Sequence, residues 1–163
     1  MRRKVKQTMK IIKSNTLTKS QKESIAFLWN REYPRQLAIT ADGLDHFFQG
    51  TTAHTHFMVL DDADEIVGWA FTFDRDGERW FSILINTLYQ RLGIGGMVLK
   101  LLKEKETSLN GWVIDHPHDI KQNGEPYESP LAFYLKNDFV IQPDIRLENE
   151  KISAVKIEWR KTE

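Results

Sequence analysis

The chain has 163 residues, of which 40% are hydrophobic and 28% charged, a composition typical of a folded domain with a sizeable core. Its 23 Lys and Arg balance 23 Asp and Glu, so the net charge gives no reason to expect nucleic-acid binding. The absence of cysteine excludes disulfides, thiolate metal ligands and a cysteine nucleophile, and no apolar run is long enough for a membrane span. We expect one cytoplasmic domain over residues 1–163, with residues 1–8 as a basic N-terminal extension.

The first third of the chain is predicted to form one strand and two helices. The strand covers residues 9–17. Ser20 and Glu23 have the spacing of a capping box, which predicts a helix that continues until Pro34. A shorter helix is predicted over 41–50, where apolar residues recur at helical spacing.

From residue 54 the apolar residues alternate with a period of two, which indicates strands. Three runs, at 54–62, 65–74 and 79–86, are separated by an acidic turn and by the hairpin signal Asp76-Gly77. This pattern predicts a three-strand antiparallel meander.

The second half of the chain is predicted to add a crossover and a closing pair of strands. A helix over about 95–107, a turn at Leu109–Gly111 and a strand at 112–115 follow the meander, which implies one right-handed parallel crossover. A polar loop over 116–129 leads to a helix at 130–139 and then to two strands. The predicted fold is therefore α/β, of the α+β mixed-sheet kind, with a mostly antiparallel sheet flanked by helices.

Three glycines lie in the sequence QRLGIGG, between the third strand of the meander and the helix that follows it. They can be explained as a tight strand-to-helix turn. They can also be explained as a nest of backbone N–H groups that binds a phosphate or pyrophosphate at the helix N-terminus. A dinucleotide fingerprint would need glycine at Val98, and no Gly-Lys-Ser/Thr of a Walker A loop follows.

The sequence QRLGIGG resembles the Q/R-x-x-G-x-G/A acetyl-CoA motif of the GNAT (Gcn5-related) N-acetyltransferases. Further on, LAFYLKNDF at 131–139 resembles the late helix of that family, A-x-x-F-Y-x-K-x-G-F. The resemblance implies the GNAT acyl-CoA N-acyltransferase fold, with the parallel crossover between the fourth and fifth strands. It also implies direct transfer of an acetyl group from acetyl-CoA to a primary amine of an unidentified acceptor.

The resemblance also implies which residues contact acetyl-CoA. The backbone N–H groups from residue 91 to 96 would hold the pyrophosphate, and side chains in place of the glycines at 93 and 95 would clash with the phosphates. The main chain of residues 83–85 would bind the pantetheine arm where the fourth and fifth strands splay apart. The implied cofactor-binding residues are Ile83, Leu84, Ile85, Gln90, Arg91, Leu92, Gly93, Ile94, Gly95 and Gly96.

Tyr134 matches the tyrosine that in many GNAT enzymes donates a proton to the departing coenzyme A thiolate. A tyrosine is protonated at neutral pH because its reference pKa is about 10. The general base is left open among four residues, because no acid lies between Glu78 and Asn86, where relatives often carry a glutamate. The four are Glu78, Asp115, His116 and His118.

Two positions depart from the family pattern. Asp138 replaces the usual glycine, which an aspartate can do because it enters the left-handed region more readily than most residues. Tyr127 replaces the asparagine that many relatives place before the catalytic tyrosine, which puts that contact with the pantetheine arm in question.

Two histidine pairs, at 54 and 56 and at 116 and 118, raise the hypothesis of a metal site. Neither pair has a third ligand at a diagnostic spacing, so an exposed strand face and a polar loop are preferred and no metal is expected. Three hypotheses compete with acetyl transfer: a longer acyl donor, a non-catalytic acyl-CoA-binding sensor of the same fold, and a nucleotide-binding protein. The expected partners are acetyl-CoA and an amine, with no nucleic acid or membrane, and the protein is expected to be a monomer or a homodimer.

Overall fold

The computed structural model of the protein describes residues 9–162, so the predicted basic extension at 1–8 lies outside the described residues. Within 9–162 the chain forms seven strands and four α-helices. The strands are β1 (Lys10–Ser14), β2 (Thr52–Leu60), β3 (Ile66–Arg75), β4 (Glu78–Ile85), β5 (Ser108–Ile114), β6 (Val140–Glu148) and β7 (Ser153–Arg160). The helices are α1 (Lys19–Glu32), α2 (Ala41–Phe48), α3 (Ile94–Lys105) and α4 (Leu131–Lys136). Among the described residues, no helix combines the length and apolar character that crossing a membrane requires.

All seven described strands belong to one sheet, in the order β1-β2-β3-β4-β5-β7-β6. Every neighbouring pair is antiparallel except β4 and β5, which are joined through α3 and run parallel. The predicted α/β fold with a mixed, mostly antiparallel sheet and one parallel crossover is confirmed.

Each face of the sheet carries its own apolar core. Alternation along β3 sends Trp69 and Phe71 to the face covered by α1 and α2, and sends Ala70 to the other face. On that second face, Val98 and Leu102 of α3 pack against the sheet. The two cores hold α1 on one face of the sheet and α3 on the other. The C-terminal end of α1 and the N-terminal end of α3 can therefore both contribute to one site beside β4.

The predicted capping box was wrong by two residues. Thr18 is the N-cap of α1: its Oγ1 accepts from the Gln21 N–H at 3.1 Å, and the Gln21 Oε1 accepts from the Thr18 N–H at 2.8 Å. Both Thr18-x-x-Gln21 and Ser20-x-x-Glu23 satisfy the same pattern. Thr18 has the extended backbone that an N-cap needs, whereas Ser20 already lies inside the helix.

The predicted turn at Leu109–Gly111 was also wrong, because these residues lie inside β5. Gly111 pairs with Ile157 of β7 as an ordinary strand residue. A Cβ at Gly111 would lie 2.7 Å from Cε1 of Phe81 on β4. The glycine is explained by the aromatic ring that occupies its side-chain space, which local sequence cannot reveal.

Of the two histidines on β2, His56 belongs to the core, whereas His54 is only partly buried. His56 is 2% exposed, and its Nδ1 accepts from the indole Nε1–H of Trp69 at 3.1 Å. Its ring stacks on Phe71 with centroids 4.6 Å apart. Burial, and then the neighbouring His54, lowers the pKa of His56 to about 4.

His56 is expected to make the protein less stable as the pH falls from about 6.5 to about 4. The unfolded chain takes up a proton at a histidine pKa of about 6.5, whereas the folded protein does so at about 4, so its contribution is complete above 6.5 and is lost on acidification. That loss amounts to about 2 to 3 kcal/mol. Urea unfolding at a series of pH values should show a steeper acid loss in the parent than in His56→Gln. Equal pH slopes would contradict the assignment.

Candidate functional site

The parallel strands β4 and β5 are in register at one pair, Trp80 with Asn110, within the described residues. From Phe81 to Ile85, β4 is paired with β3 on one side and has no β5 partner on the other. This half of β4 therefore has an edge that is not paired with β5, and an extended ligand can bind there as an added strand would, although the Ile85 carbonyl already accepts from the Gln90 side chain.

The glycine segment forms the turn between β4 and α3. A 3₁₀ turn over Thr87–Leu92 is started by Asn86, whose side-chain oxygen accepts from the Leu88 N–H at 3.0 Å. Gly93 then adopts φ 76° and ψ 10°, in the left-handed region, and α3 begins at the next residue. No side chain caps this helix start. The first N–H groups of α3 are thus free to bind an anion, and the helix dipole favours one.

A cleft of about 450 Å³ lies where β4, the start of α3, α4 and the loop at 116–129 meet. Seven of the eleven predicted site residues line it: Ile83, Leu84, Ile85, Gln90, Arg91, Gly95 and Tyr134. Four do not. Leu92 is exposed, Ile94 is buried in the core, and Gly93 and Gly96 act, if at all, through their main chain.

The side chains of the motif have distinct tasks in the structure. The Gln90 Nε2–H donates to the Ile85 carbonyl at 3.0 Å, so this side chain ties the turn back to the end of β4. Arg91 lines the cleft and has no ion-pair partner among residues 9–162. Its guanidinium is therefore available for a phosphate.

Different structural features explain the glycines at positions 93 and 95 of the motif. Gly93 has a positive φ, so any other residue would be strained there, whatever bound nearby. A Cβ at Gly95 would make only an ordinary contact, 3.5 Å from Cζ of Phe133, within the protein itself. The need for a small residue at Gly95 would therefore come from a ligand.

Tyr134 is 6% exposed and lies on α4 with its ring edge-on to Phe81 and Phe139, at centroid distances of 5.5 and 5.3 Å. Burial, and then the nearby hydroxyls of Tyr33 and Tyr127, raises the pKa of Tyr134 above its usual value. The phenol therefore stays protonated across the neutral range. Among residues 9–162, its hydroxyl has no hydrogen-bond partner, so its proton is available to a ligand in the cleft.

The backbone after α4 has the left-handed conformation that the sequence predicts at Asp138. Asp138 has φ 70°, so an aspartate occupies the left-handed region at the position where the motif that LAFYLKNDF resembles has glycine. The Phe139 N–H then donates to the Tyr134 carbonyl at 3.1 Å, which closes the end of the helix.

Tyr127, which stands in place of the usual asparagine, lines the cleft from the loop at 116–129. Its ring lies 6.4 Å from that of Tyr33, and the Tyr33 hydroxyl is 3.3 Å from Oγ of Ser82 on β4. Burial is the main cause that raises the pKa of Tyr127, followed by the charges of Tyr33, Asp119 and Glu32. Three tyrosine hydroxyls therefore converge on one cleft.

None of the four general-base candidates lines this cleft. Glu78 pairs with Lys156 at 2.9 Å, at the opposite end of β4 from the motif. Asp115 makes a two-pronged ion pair with Arg146, which lowers its pKa.

The two histidine candidates of the loop at 116–129 do not line the cleft. The rings of His116 and His118 stack 5.3 Å apart in the loop, away from the cleft. Within 9–162, no group of three or more His, Asp or Glu side chains is arranged to hold a metal ion.

Sequence reasoning missed three carboxylates that line the cleft, those of Glu32, Glu125 and Glu128, of which only Glu32 is buried. Glu32, the last residue of α1, is 4% exposed and lies beside Thr87 and Lys121. The only signal for Glu32 in the sequence would have been a glutamate at the C-terminal end of a helix, where the dipole disfavours it. The polar wall opposite α4 is thus built from three segments that are far apart in sequence.

Comparison with known proteins gives solved structures and no sequence relatives: no protein-family model matches the chain, and no curated protein matches it significantly. A GNAT-family acetyltransferase from Staphylococcus aureus superposes with a TM-score of 0.66 at 16% identity, over 94% of this chain and 99% of that one. A GNAT superfamily phosphinothricin acetyltransferase from Sinorhizobium meliloti, in complex with acetyl-CoA, gives 0.62 at 15% identity, over 92% and 88%. The ribosomal-protein-S18-alanine N-acetyltransferase from Escherichia coli gives 0.58 at 14% identity, over 93% and 94%. Likeness over nearly the whole of each chain shows that this protein has the GNAT N-acetyltransferase fold.

Proposed function

We propose that the protein is an N-acetyltransferase that moves the acetyl group of acetyl-CoA directly to a primary amine of an acceptor. The observation that carries this proposal is that Tyr134, a protonated phenol with no hydrogen-bond partner among residues 9–162, lines the same cleft as the edge of β4 that is not paired with β5 and adjoins the uncapped start of α3. The fold supports it, because its solved neighbours include acetyltransferases and one acetyl-CoA complex.

Each part of the cleft has a task in this reaction. The N–H groups at the start of α3 and the Arg91 guanidinium hold the pyrophosphate. The main chain of residues 83–85, on the edge that is not paired with β5, holds the pantetheine arm in an extended form. The thioester carbonyl then lies near Tyr134, where a neutral amine adds to the carbonyl carbon and gives one N–H proton to solvent. The C–S bond breaks, and the phenol gives its proton to the leaving thiolate and regains one from solvent.

Binding of acetyl-CoA is the first test, by calorimetric titration of the parent, Arg91→Gln and Lys100→Gln. Loss of a charge-assisted hydrogen bond to a phosphate is expected to weaken binding about tenfold in Arg91→Gln. Lys100 is exposed on α3 outside the cleft, so Lys100→Gln should bind within twofold of the parent. ADP and NAD should compete far more weakly than coenzyme A.

Absence of acetyl-CoA binding to the folded parent would contradict the proposal. Equal weakening in Arg91→Gln and Lys100→Gln would show that overall charge, and not a site, attracts the nucleotide. Binding of ADP as tight as that of coenzyme A would favour a nucleotide-binding protein instead.

A coenzyme A-binding sensor of the same fold is the second candidate. It is favoured by the position of the four candidate bases, which all lie outside the cleft. The sensor would be supported if the protein binds acetyl-CoA tightly but releases no coenzyme A thiol in the presence of any member of a panel of amines, including peptides and polyamines. The assay has no protein background, because the chain contains no cysteine.

A further inference from the structure

Glu32 is a buried charge whose surroundings are unusual for the end of a helix. It is the last residue of α1, and its side chain is 3% exposed. A buried carboxylate is strongly destabilising unless hydrogen bonds and an opposite charge compensate it. Glu32 has both, and its partners come from two other segments of the chain.

The first segment is the turn that follows β4. The Thr87 N–H donates to the Glu32 Oε2 at 3.0 Å, and the Thr87 hydroxyl donates to Oε1. Thr87 is the first residue of the 3₁₀ turn that carries Gln90 and Arg91 and ends at Gly93. Glu32 therefore fixes the start of the segment that is proposed to bind acetyl-CoA.

The second segment is the loop at 116–129, which covers the other side of the cleft. The Lys121 Nζ lies 3.4 Å from the Glu32 Oε1 and 3.2 Å from the Thr87 Oγ1, and its side chain is 12% exposed. The Arg35 N–H also donates to the Ile120 carbonyl at 2.9 Å, so the loop is held against the segment after α1. Arg31 is the other cation near Glu32, with its Nε 3.6 Å from Oε2.

We propose that Glu32 is a positioning residue that joins the two walls of the cleft: through Thr87 it sets the turn before α3, and through Lys121 it holds the loop at 116–129 in place. The consequence for catalysis rests on the proposed function. One buried side chain then determines both where acetyl-CoA is held and how the opposite wall of the cleft, which we assign to the acceptor, is placed. Its separation from Thr87 and Lys121 by 55 and 89 residues makes it a tertiary link that no local contact can replace.

Hydrogen–deuterium exchange of the full chain tests this link without requiring activity. Glu32→Gln removes the charge at nearly constant shape and is expected to speed amide exchange about tenfold in both 86–93 and 117–127. Lys121→Met removes the contacts of the loop with Glu32 and Thr87 but keeps the two Glu32–Thr87 hydrogen bonds, and it should speed exchange more in 117–127 than in 86–93. Glu23→Gln is the matched control, because Glu23 lies exposed on the same helix and has no ion pair among the described residues.

Faster exchange throughout the sheet in Glu32→Gln, or no change in either segment, would overturn the proposal. So would the same pattern in Glu23→Gln. If Glu32→Gln is too unstable to measure, Lys121→Met decides the loop contact, and unchanged exchange at 117–127 in that variant would equally overturn it.

Titration with acetyl-CoA separates this inference from the proposed function. Glu32→Gln should weaken acetyl-CoA binding at least fivefold, whereas Lys121→Met should bind within twofold of the parent and raise only the KM of the amine found in the acceptor screen. A parent that does not bind acetyl-CoA would refute the proposed function, while the exchange pattern would still decide the role of Glu32. A parent that binds acetyl-CoA, with no difference between Glu32→Gln and Glu23→Gln, would refute the positioning role alone.

Discussion

Tyr134→Phe is expected to lower kcat by about 10²-fold or more, with the Kd of acetyl-CoA within twofold of the parent. Positioned general acids contribute about 10² to 10⁴ in rate. The ring and its packing against Phe81 and Phe139 survive the substitution, so the loss would report the hydroxyl alone. The rate at which coenzyme A thiol is released in the presence of the amine identified in the acceptor screen gives kcat, and calorimetric titration gives the Kd.

The pH dependence sharpens this prediction. Because burial raises the pKa of Tyr134, the phenol is protonated at every pH from 6 to 9, and the ratio of parent to variant kcat should stay constant over that range. A ratio that changes with pH would indicate that Tyr134 acts as a titrating group and not as a constantly protonated acid.

Tyr127→Phe is the matched control, since it removes another buried hydroxyl from the same cleft. We expect a loss of less than threefold, because nothing assigns Tyr127 a proton transfer. An equal loss in both variants would mean that the tyrosines support the cleft as a group. Unchanged kcat in Tyr134→Phe would remove its role as the acid.

The elements and the glycine segment could be predicted from sequence because their signals are local. Alternating apolar residues identify β2, β3 and β4. A glycine between a strand and a helix indicates a backbone position with positive φ, and Gly93 has one. Gln90 shows the limit of what the local sequence can predict. The motif gives the residue, but its hydrogen bond to the Ile85 carbonyl depends on how the turn folds back.

What could not be predicted depends on contacts between distant segments. Glu32 acquires its meaning only when α1 ends beside Thr87 and Lys121. Residue chemistry and sequence position make Glu78 and Asp115 candidate general bases, but the fold pairs each with a basic side chain outside the cleft. Residue type proposes a role, and tertiary placement decides whether the side chain can reach the reaction.

Gly111 is a core residue whose role also depends on a distant segment, and its substitution is expected to have the second large effect, on stability. Gly111→Ala should lower the free energy of unfolding by about 3 kcal/mol, in the upper part of the range for overpacked cores. An added Cβ would lie 2.7 Å from Cε1 and 3.0 Å from Cζ of Phe81. The Phe81 ring cannot simply move away, since Tyr134 and Phe139 pack against it. Thermal unfolding should show a Tm lowered by about 6 to 12 °C.

Two further variants decide whether this clash is the cause. Gly96→Ala places the same methyl group in open space on α3 and should leave the protein as stable as the parent, or up to about 1 kcal/mol more stable. Phe81→Leu in the Gly111→Ala background should recover part of the loss, because the smaller side chain leaves room for the Cβ. If the double variant is no more stable than Gly111→Ala, the ring is not the obstacle.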